Sequence, residues 1–232
     1  MKQNMSEKYI VALLMCFTGG AFDAYSYYMR GKTFATMQTG NMILLGYNLV
    51  NGEKIKALMY LIPIFAFFFG AFISQCLSNL IKEDKLIRFE QIVILFEIIC
   101  VIPSFFIEEG NLNFLSNMFI SLASGAQLNT FRKTKGLAIA TTMCTGNLKS
   151  IGEAFGNFVT RHDKHYLLNM LLYFALILSF FTGAIISFCL AKVIGIYAVV
   201  VSLISLIIGL LIISFKKKDI SLNDNLIASN IK

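Results

Sequence analysis

The sequence predicts an all-α membrane protein of about six transmembrane helices in two inverted repeats, each with a broken or re-entrant half-helix bearing Thr-Gly-Asn. Three observations carry this. First, 57% of the 232 residues are hydrophobic, 14% are charged and the mean hydropathy is +0.72. Soluble domains average about 25% charged residues, so water would not hold such a chain in solution. Second, the apolar residues fall in blocks about as long as a bilayer is thick. Third, the motifs of the first half recur in the second.

Mainly apolar runs cover residues 8–29, 55–81, 89–107, 112–131, 165–191 and 194–215. Each is long enough to span hydrocarbon as a helix. Two further segments, 33–50 and 138–158, carry Gly, Thr, Asn and Gln in their middles. Lys2 and Lys8 ahead of the first run resemble a secretory leader, with small residues near Ala21–Ala24. Cleavage is not expected, because the same region has a counterpart in mid-chain.

The counterpart emerges when the chain is slid along itself by 106 residues. Thr39-Gly40-Asn41 then lies on Thr145-Gly146-Asn147, Met37 on Met143, Gly19 on Gly125, Gly46 on Gly152, Asp23 on Asn129 and Tyr25 on Phe131. After an insertion of seven, Gly70 to Leu77 lies on Gly183 to Leu190. The chain is therefore one membrane domain, 1–232, with repeat 1 at about 8–107, repeat 2 at about 112–215, and a polar tail, 216–232, expected to be unstructured.

Charge arbitrates between crossing and returning TGN segments, since cytoplasmic loops carry the excess of Lys and Arg. With six crossings and both ends cytoplasmic, 13 basic residues are inside. They are Lys2, Lys8, Lys82, Lys85, Arg88, Arg132, Lys133, Lys135, Arg161, Lys164, Lys216, Lys217 and Lys218. Five (Arg30, Lys32, Lys54, Lys56, Lys192) are outside. Eight crossings divide the same residues 9 against 9, and a seven-span arrangement, N-terminus outside, again gives 13 against 5. Six spans treat the two TGN segments alike and rank first; seven or eight are the alternatives.

The net charge of +7 lies in short clusters between apolar runs, so no nucleic-acid partner is expected. Cys16, Cys76, Cys100, Cys144 and Cys189 all fall within apolar stretches and form no CxxC, so neither disulfides nor a zinc site is expected. Arg161-His162-Asp163-Lys164-His165 reads as a solvated basic loop, and Gly31-Lys32-Thr33 lacks the upstream glycine of a phosphate-binding loop. No cofactor or metal is expected.

Thr or Asn can cap a helix start and Gly permits a turn before it, so each TGN is read as the start of a half-helix. Two such starts near the midplane would aim the partial positive charge of their N-termini at one region. The competing reading is a structural break that lets helices pack closely. Asp23 is the acid well inside the first run, where an unpaired carboxylate costs roughly 3 kcal/mol or more. It is a proton-coupling candidate unless Arg30 or the outer surface solvates it, and Glu97, mid-run, is the second. Gln38, Gln75 and Gln127 bring amides to comparable depths. Glu90 is expected to pair with Lys85 or Arg88, and Lys149 with Glu153 four residues on. Tyr25, Tyr27 and Tyr28 read as interfacial anchors, and Gly152 with Gly156 as a small GxxxG contact.

The run Gly19-Gly20-Ala21-Phe22-Asp23-Ala24-Tyr25-Ser26-Tyr27, followed by Gly31, Phe34, Gln38-Thr39-Gly40-Asn41 and Gly46, resembles the YoaK family of bacterial membrane proteins. Gly125-Ala126-Gln127-Leu128-Asn129 and Thr145-Gly146-Asn147 are similar to its second region, and the likeness covers about residues 8–215. The resemblance implies a bacterial inner-membrane location and a multi-span helical fold, and implies no substrate.

The leading functional expectation is a small-molecule or ion secondary transporter or permease. Its site between the repeats, near the bilayer midplane, comprises Asp23, Gln38, Thr39, Gly40, Asn41, Gln127, Asn129, Thr145, Gly146 and Asn147. The alternatives are a membrane-embedded enzyme acting on a lipid-soluble substrate, for which no catalytic constellation is seen, and a non-catalytic scaffold. Expected partners are membrane lipids, the small solute and, because a 26.0 kDa bundle is small for a transporter, a second copy of the chain. The C-terminus is expected in the cytoplasm.

Overall fold

A computed structural model describes the backbone of residues 2–81 and 88–229 and the side chains of 9–81 and 88–214. The helices, in chain order, are α1 (Lys2–Met29), α2 (Gln38–Val50), α3 (Lys54–Leu80), α4 (Phe89–Val101), α5 (Asn113–Thr130), α6 (Cys144–Arg161), α7 (Lys164–Ile194) and α8 (Val200–Ser229). A 3-10 turn, Ile102–Phe105, extends α4, and another, Gly195–Val199, precedes α8. A two-stranded hairpin, β1 (Lys133–Thr134) and β2 (Leu137–Ala138), follows α5. The polar tail differs from expectation: helix α8 continues through it to Ser229.

Among the described residues, Tyr9–Met29, Lys54–Leu80 and Lys164–Ser214 are long and apolar enough to cross a membrane by length and composition. The last contains two helices, because the chain reverses at Gly195, whose φ of 57° lies in the left-handed region that glycine tolerates.

Cross-helix bonds fix the helix directions. Tyr9 Oη donates to Leu172 O (2.8 Å), Ser179 Oγ to Leu13 O (2.7 Å) and Ser187 Oγ to Ala21 O (3.1 Å), so α1 and α7 run parallel. Ser74 and Thr130 hydroxyls meet at 2.9 Å, and Gly70 and Gly125 face Leu122 and Phe67, so α3 and α5 are also parallel. Gln127 Nε2 reaches Met15 O (3.0 Å) near one end of α5, and Asn117 Nδ2 reaches Arg30 O (2.8 Å) near the other, so α5 opposes α1. Ile94 and Met15 both touch Gly209, while Gln91 Nε2 bonds Ser214 Oγ (2.8 Å), so α4 follows α1 and α8 opposes both. The helices α1, α3, α4, α5, α7 and α8 thus alternate in direction along the chain. Residues 51–53 and 162–163 turn α2 and α6 back as hairpins against α3 and α7.

Small residues allow the two parallel pairs to touch backbone to backbone. A Cβ on Gly20 would overlap Phe180 O, and one on Gly183 would overlap Phe17 O. The α3–α5 pair repeats this with Gly70 against Leu122 O and Gly125 against Phe67 O. The expected Gly152–Gly156 contact is different: both are exposed, with nothing near, so no helix packs there. The main core lies where α1, α4, α5 and α8 converge, around Met15, Phe22, Tyr25, Ile94, Ile120 and Leu206.

Candidate functional site at the junction of two helix breaks

The first break begins where α1 ends. Gly31 (φ 82°) and Lys32 (φ 61°) turn the chain, and residues 33–37 run back down α1 as non-helical backbone with bends at Ala35 and Thr36. Phe34 stacks on Tyr27 at 5.1 Å between ring centroids, Ala35 N donates to Ser26 Oγ (3.0 Å), and Thr36 N donates to Asp23 Oδ1 (2.7 Å). Helix α2 starts from that depth. The second break follows the β1–β2 hairpin, where Lys135 (φ 49°) and Gly136 (φ 80°) make the turn. Residues 139–143 then run alongside α1 to the start of α6, and Thr141 O lies against Gly19, where a Cβ would fall 2.6 Å from it.

The asparagines of the two TGN motifs act alike, but they do not cap. The N-cap positions are Met37 and Met143, without side-chain cap bonds. Asn41 instead reaches back: its Oδ1 accepts from Phe34 N (3.0 Å) and its Nδ2 donates to Phe34 O (2.6 Å). Asn147 does the same to Ala140, with Oδ1 to N at 3.1 Å and Nδ2 to O at 2.8 Å. Each primary amide supplies the donor and acceptor that a neighbouring strand would give, which lets a non-helical segment lie inside a helical bundle. Gly40 is helical and does not make a turn; a Cβ there would sit 3.0 Å from the Phe34 ring, so glycine keeps that ring in place.

The two breaks meet at a pair of threonines. Thr36 Oγ1 lies 2.6 Å from Asp23 Oδ2 and 2.8 Å from Thr142 O, all of it buried. Asp23 is 6% exposed and does not pair with Arg30, so solvation by the surface or by that arginine does not describe it. Thr142 Oγ1 and Gln127 Oε1 are buried without a partner among the described residues, and Gln127 Nε2 contacts Thr141 Oγ1 (3.2 Å).

The structure therefore gathers Asp23, Asn41, Gln127 and Asn147 around the meeting of the breaks, with Gln38 bonded to Ala35 O (2.9 Å) and Asn41. It leaves Thr39, Thr145 and Gly146 exposed on the first turns of α2 and α6. Asn129 bonds Ser74 (3.2 Å) and Gln75 (3.4 Å) toward α3. Glu97 is fully buried in α4, with neither carboxyl oxygen partnered among the described residues, and no bond links it to the junction.

Sequence reasoning missed Thr36 and Thr142, although they match at the same 106-residue offset as the TGN motifs. It also missed the role of Arg30, which is 1% exposed. Its guanidinium donates to Tyr25 Oη (2.6 and 2.9 Å), Ser104 O (2.8 Å) and Asn113 Oδ1 (3.3 Å), tying α1 to the ends of α4 and α5. Tyr25 is accordingly a core residue and not an interfacial anchor, whereas exposed Tyr27 and Tyr28 carry Lys32 over their rings. Lys149 and Glu153 pair as expected (3.1 Å) on the exposed face of α6. Lys85 lies outside the described residues. The cysteines are free, and no group of three or more metal-ligating side chains occurs among the described residues.

A cavity of about 480 Å³ opens at the end of the bundle where α1 begins, with Val11, Phe131 and Ile213 as its floor and Arg88, Arg132 and Lys133 at its rim. A second, apolar groove of about 310 Å³ lies between α7 and α8 over α1.

Long apolar helices, backbone breaks sealed by their own side chains and polar groups turned inward define a membrane protein built of α-helices. From residue 11 to residue 212 the sequence matches the family described as "Protein of unknown function (DUF1275)", and the chain belongs to that family. It is 26% identical over 182 residues to the UPF0700 transmembrane protein YoaK of Bacillus subtilis (strain 168), a match that covers 75% of this chain and 79% of that relative. No solved structure matches the chain.

Proposed function

We propose that the protein is a secondary transporter or permease for a small polar solute or ion, in which α1, α3, α4, α5, α7 and α8 cross a bacterial inner membrane. In this reading α2 and α6 re-enter from opposite sides, both termini are cytoplasmic, and α1–α4 and α5–α8 are inverted repeats. The observation that carries it is the bond between Thr36 and Thr142, equivalent residues of the two halves, buried where the two breaks meet. Alternating helix directions and identical asparagine clamps on Phe34 and Ala140 support the same reading. Broken segments in corresponding positions, meeting inside the bundle, are how inverted-repeat transporters build a site near the midplane. Thr142 Oγ1 and Gln127 Oε1 are the polar atoms left for a solute, beside Asp23.

Alternating access makes a prediction that needs no knowledge of the solute. Cys144, half-buried at the start of α6, serves as the single cysteine in reconstituted vesicles. A membrane-impermeant thiol reagent should label it from either side. Labelling from one side alone, at every pH tried, would overturn the transport reading.

A further inference from the structure

We infer that Asp23 is a proton-binding site whose proton fastens the two breaks to each other: Asp23 Oδ2–H donates to Thr36 Oγ1, and Thr36 Oγ1–H donates to Thr142 O. Thr36 N–H occupies Asp23 Oδ1 at 2.7 Å, which leaves Oδ2 facing the Thr36 hydroxyl at 2.6 Å. That hydroxyl has one hydrogen to give. Its other neighbour, the Thr142 carbonyl oxygen at 2.8 Å, can only accept. Both separations are those of O–H···O bonds, so each gap must hold a hydrogen. One hydrogen cannot fill both gaps, and Asp23 is the group placed to supply the second. With Asp23 ionised, the Thr36 hydroxyl turns to the carboxylate and Thr142 O is left buried without its donor, which the low-dielectric interior penalises.

The surroundings keep this a one-proton device. The segments 33–37 and 139–143 carry no titratable side chain, nor does α5, and none lies in residues 200–214 of α8. The nearby thiols are Cys16 of α1, whose Sγ lies 3.9 Å from Ala140 O, and Cys144, half-buried at the start of α6, while Cys189 of α7 is exposed. Arg30 on α1 is turned onto Tyr25, Asn113 and Ser104. At the 3-10 turn before α8, Tyr197 is exposed, as is Lys133 of β1. The equivalent of Asp23 in the second half is the neutral Asn129, which bonds elsewhere. The sign follows: the fastening holds in acid, where Asp23 carries its proton, and is lost as pH rises through its midpoint.

The inference rests on the pairing of the two breaks in the reading above and not on solute movement. Its test uses the full chain in nanodiscs, without its native cysteines and with spin labels on Met37→Cys and Met143→Cys. These flank Thr36 and Thr142 and are 40% and 37% exposed. Dipolar coupling is recorded from about pH 4.5 to about pH 9, above the ordinary carboxylate range. With Asp23 present, the short separation should give way to a longer one as pH rises. In Asp23→Asn the amide Nδ2–H replaces the acid proton, so the short separation should persist at every pH. Thr36→Ser should behave as the parent, and Thr36→Val should show the longer separation throughout. A separation that does not change with pH in the parent, or one that still changes in Asp23→Asn, overturns the inference, and both arms remain decisive if Thr36→Val fails to fold. A pH-dependent separation together with one-sided labelling of Cys144 would retain the proton site and remove transport.

Discussion

Gly19→Ala places one methyl group between α1 and the second break. The added carbon falls 2.6 Å from Thr141 O and 3.1 Å from Thr142 Cα. Relief to even 3.0 Å requires segment 139–143 to move about 0.4 Å away from α1. Passed on to Thr142, that movement stretches the 2.8 Å bond from Thr36 Oγ1 to about 3.2 Å, outside the usual O–H···O range of roughly 2.5–3.0 Å. Losing that bond costs about 0.5–1.5 kcal/mol, and the forced contact about 1–3 kcal/mol more. The better helix propensity of alanine offsets up to about 1 kcal/mol. A net loss of roughly 0.5–4.5 kcal/mol is therefore expected in unfolding of the detergent-solubilised protein. Gly46→Ala, on the exposed face of α2 with nothing within 4 Å, should instead gain stability. The bond accounts for part of the Gly19→Ala loss, so that loss should shrink by about 0.5–1.5 kcal/mol when Thr36 is already valine. Equal stability of Gly19→Ala and its parent, or strict additivity with Thr36→Val, would refute this chain of reasoning.

Asn41→Ala and Asn147→Ala should lower stability by similar amounts, about 1–3 kcal/mol each, because each leaves a backbone N–H unpaired and a C=O without its amide donor, Ala140 O keeping only the weak Cys16 thiol at 3.9 Å; unequal losses in thermal unfolding would show that the clamps are not equivalent. Arg30→Met removes the guanidinium bonds to Tyr25 Oη, Ser104 O and Asn113 Oδ1, leaving Tyr25 with Ser104 O at 3.5 Å and Asn113 with Gly110 N, and should cost about 1.5–3 kcal/mol, with Arg30→Lys intermediate; no measurable change in Arg30→Met would remove Arg30 as the tie between α1, α4 and α5. Glu97→Leu, which replaces an unpartnered buried acid by an apolar side chain, should gain about 1–3 kcal/mol in denaturant unfolding; a loss would mean that Glu97 has a partner in the membrane.

Much of this architecture is legible in the sequence because membrane helices are encoded locally. An apolar run has to be about as long as the hydrocarbon is thick, so the expected runs lie within a few residues of α1, α3, α4, α5, α7 and the apolar part of α8. The TGN motifs were equally visible, since Gly and Asn stand out in apolar surroundings. Their roles were not. Whether Asn41 caps its own helix or reaches back seven residues depends on where the non-helical segment returns against α1, which no local pattern encodes. Thr36 was passed over for the same reason: a threonine in an apolar segment is unremarkable until the fold sets it against Asp23, 13 residues away, and Thr142, 106 away. Tyr25 illustrates the converse case. Beside Tyr27 and Tyr28 it looks like part of an interfacial belt, yet the helical period turns it inward, where Arg30 needs an acceptor.

In the proposed transporter the two breaks enter the membrane from opposite sides and meet in the middle. Single cysteines at Asn51, which ends α2, and at Lys164, which begins α7, report the two hairpin turns directly. In sealed, oriented vesicles an impermeant maleimide should reach one of them only from outside and the other only from the lumen. Labelling of both from the same side would contradict the inverted arrangement and remove the geometric basis of the junction between Thr36 and Thr142.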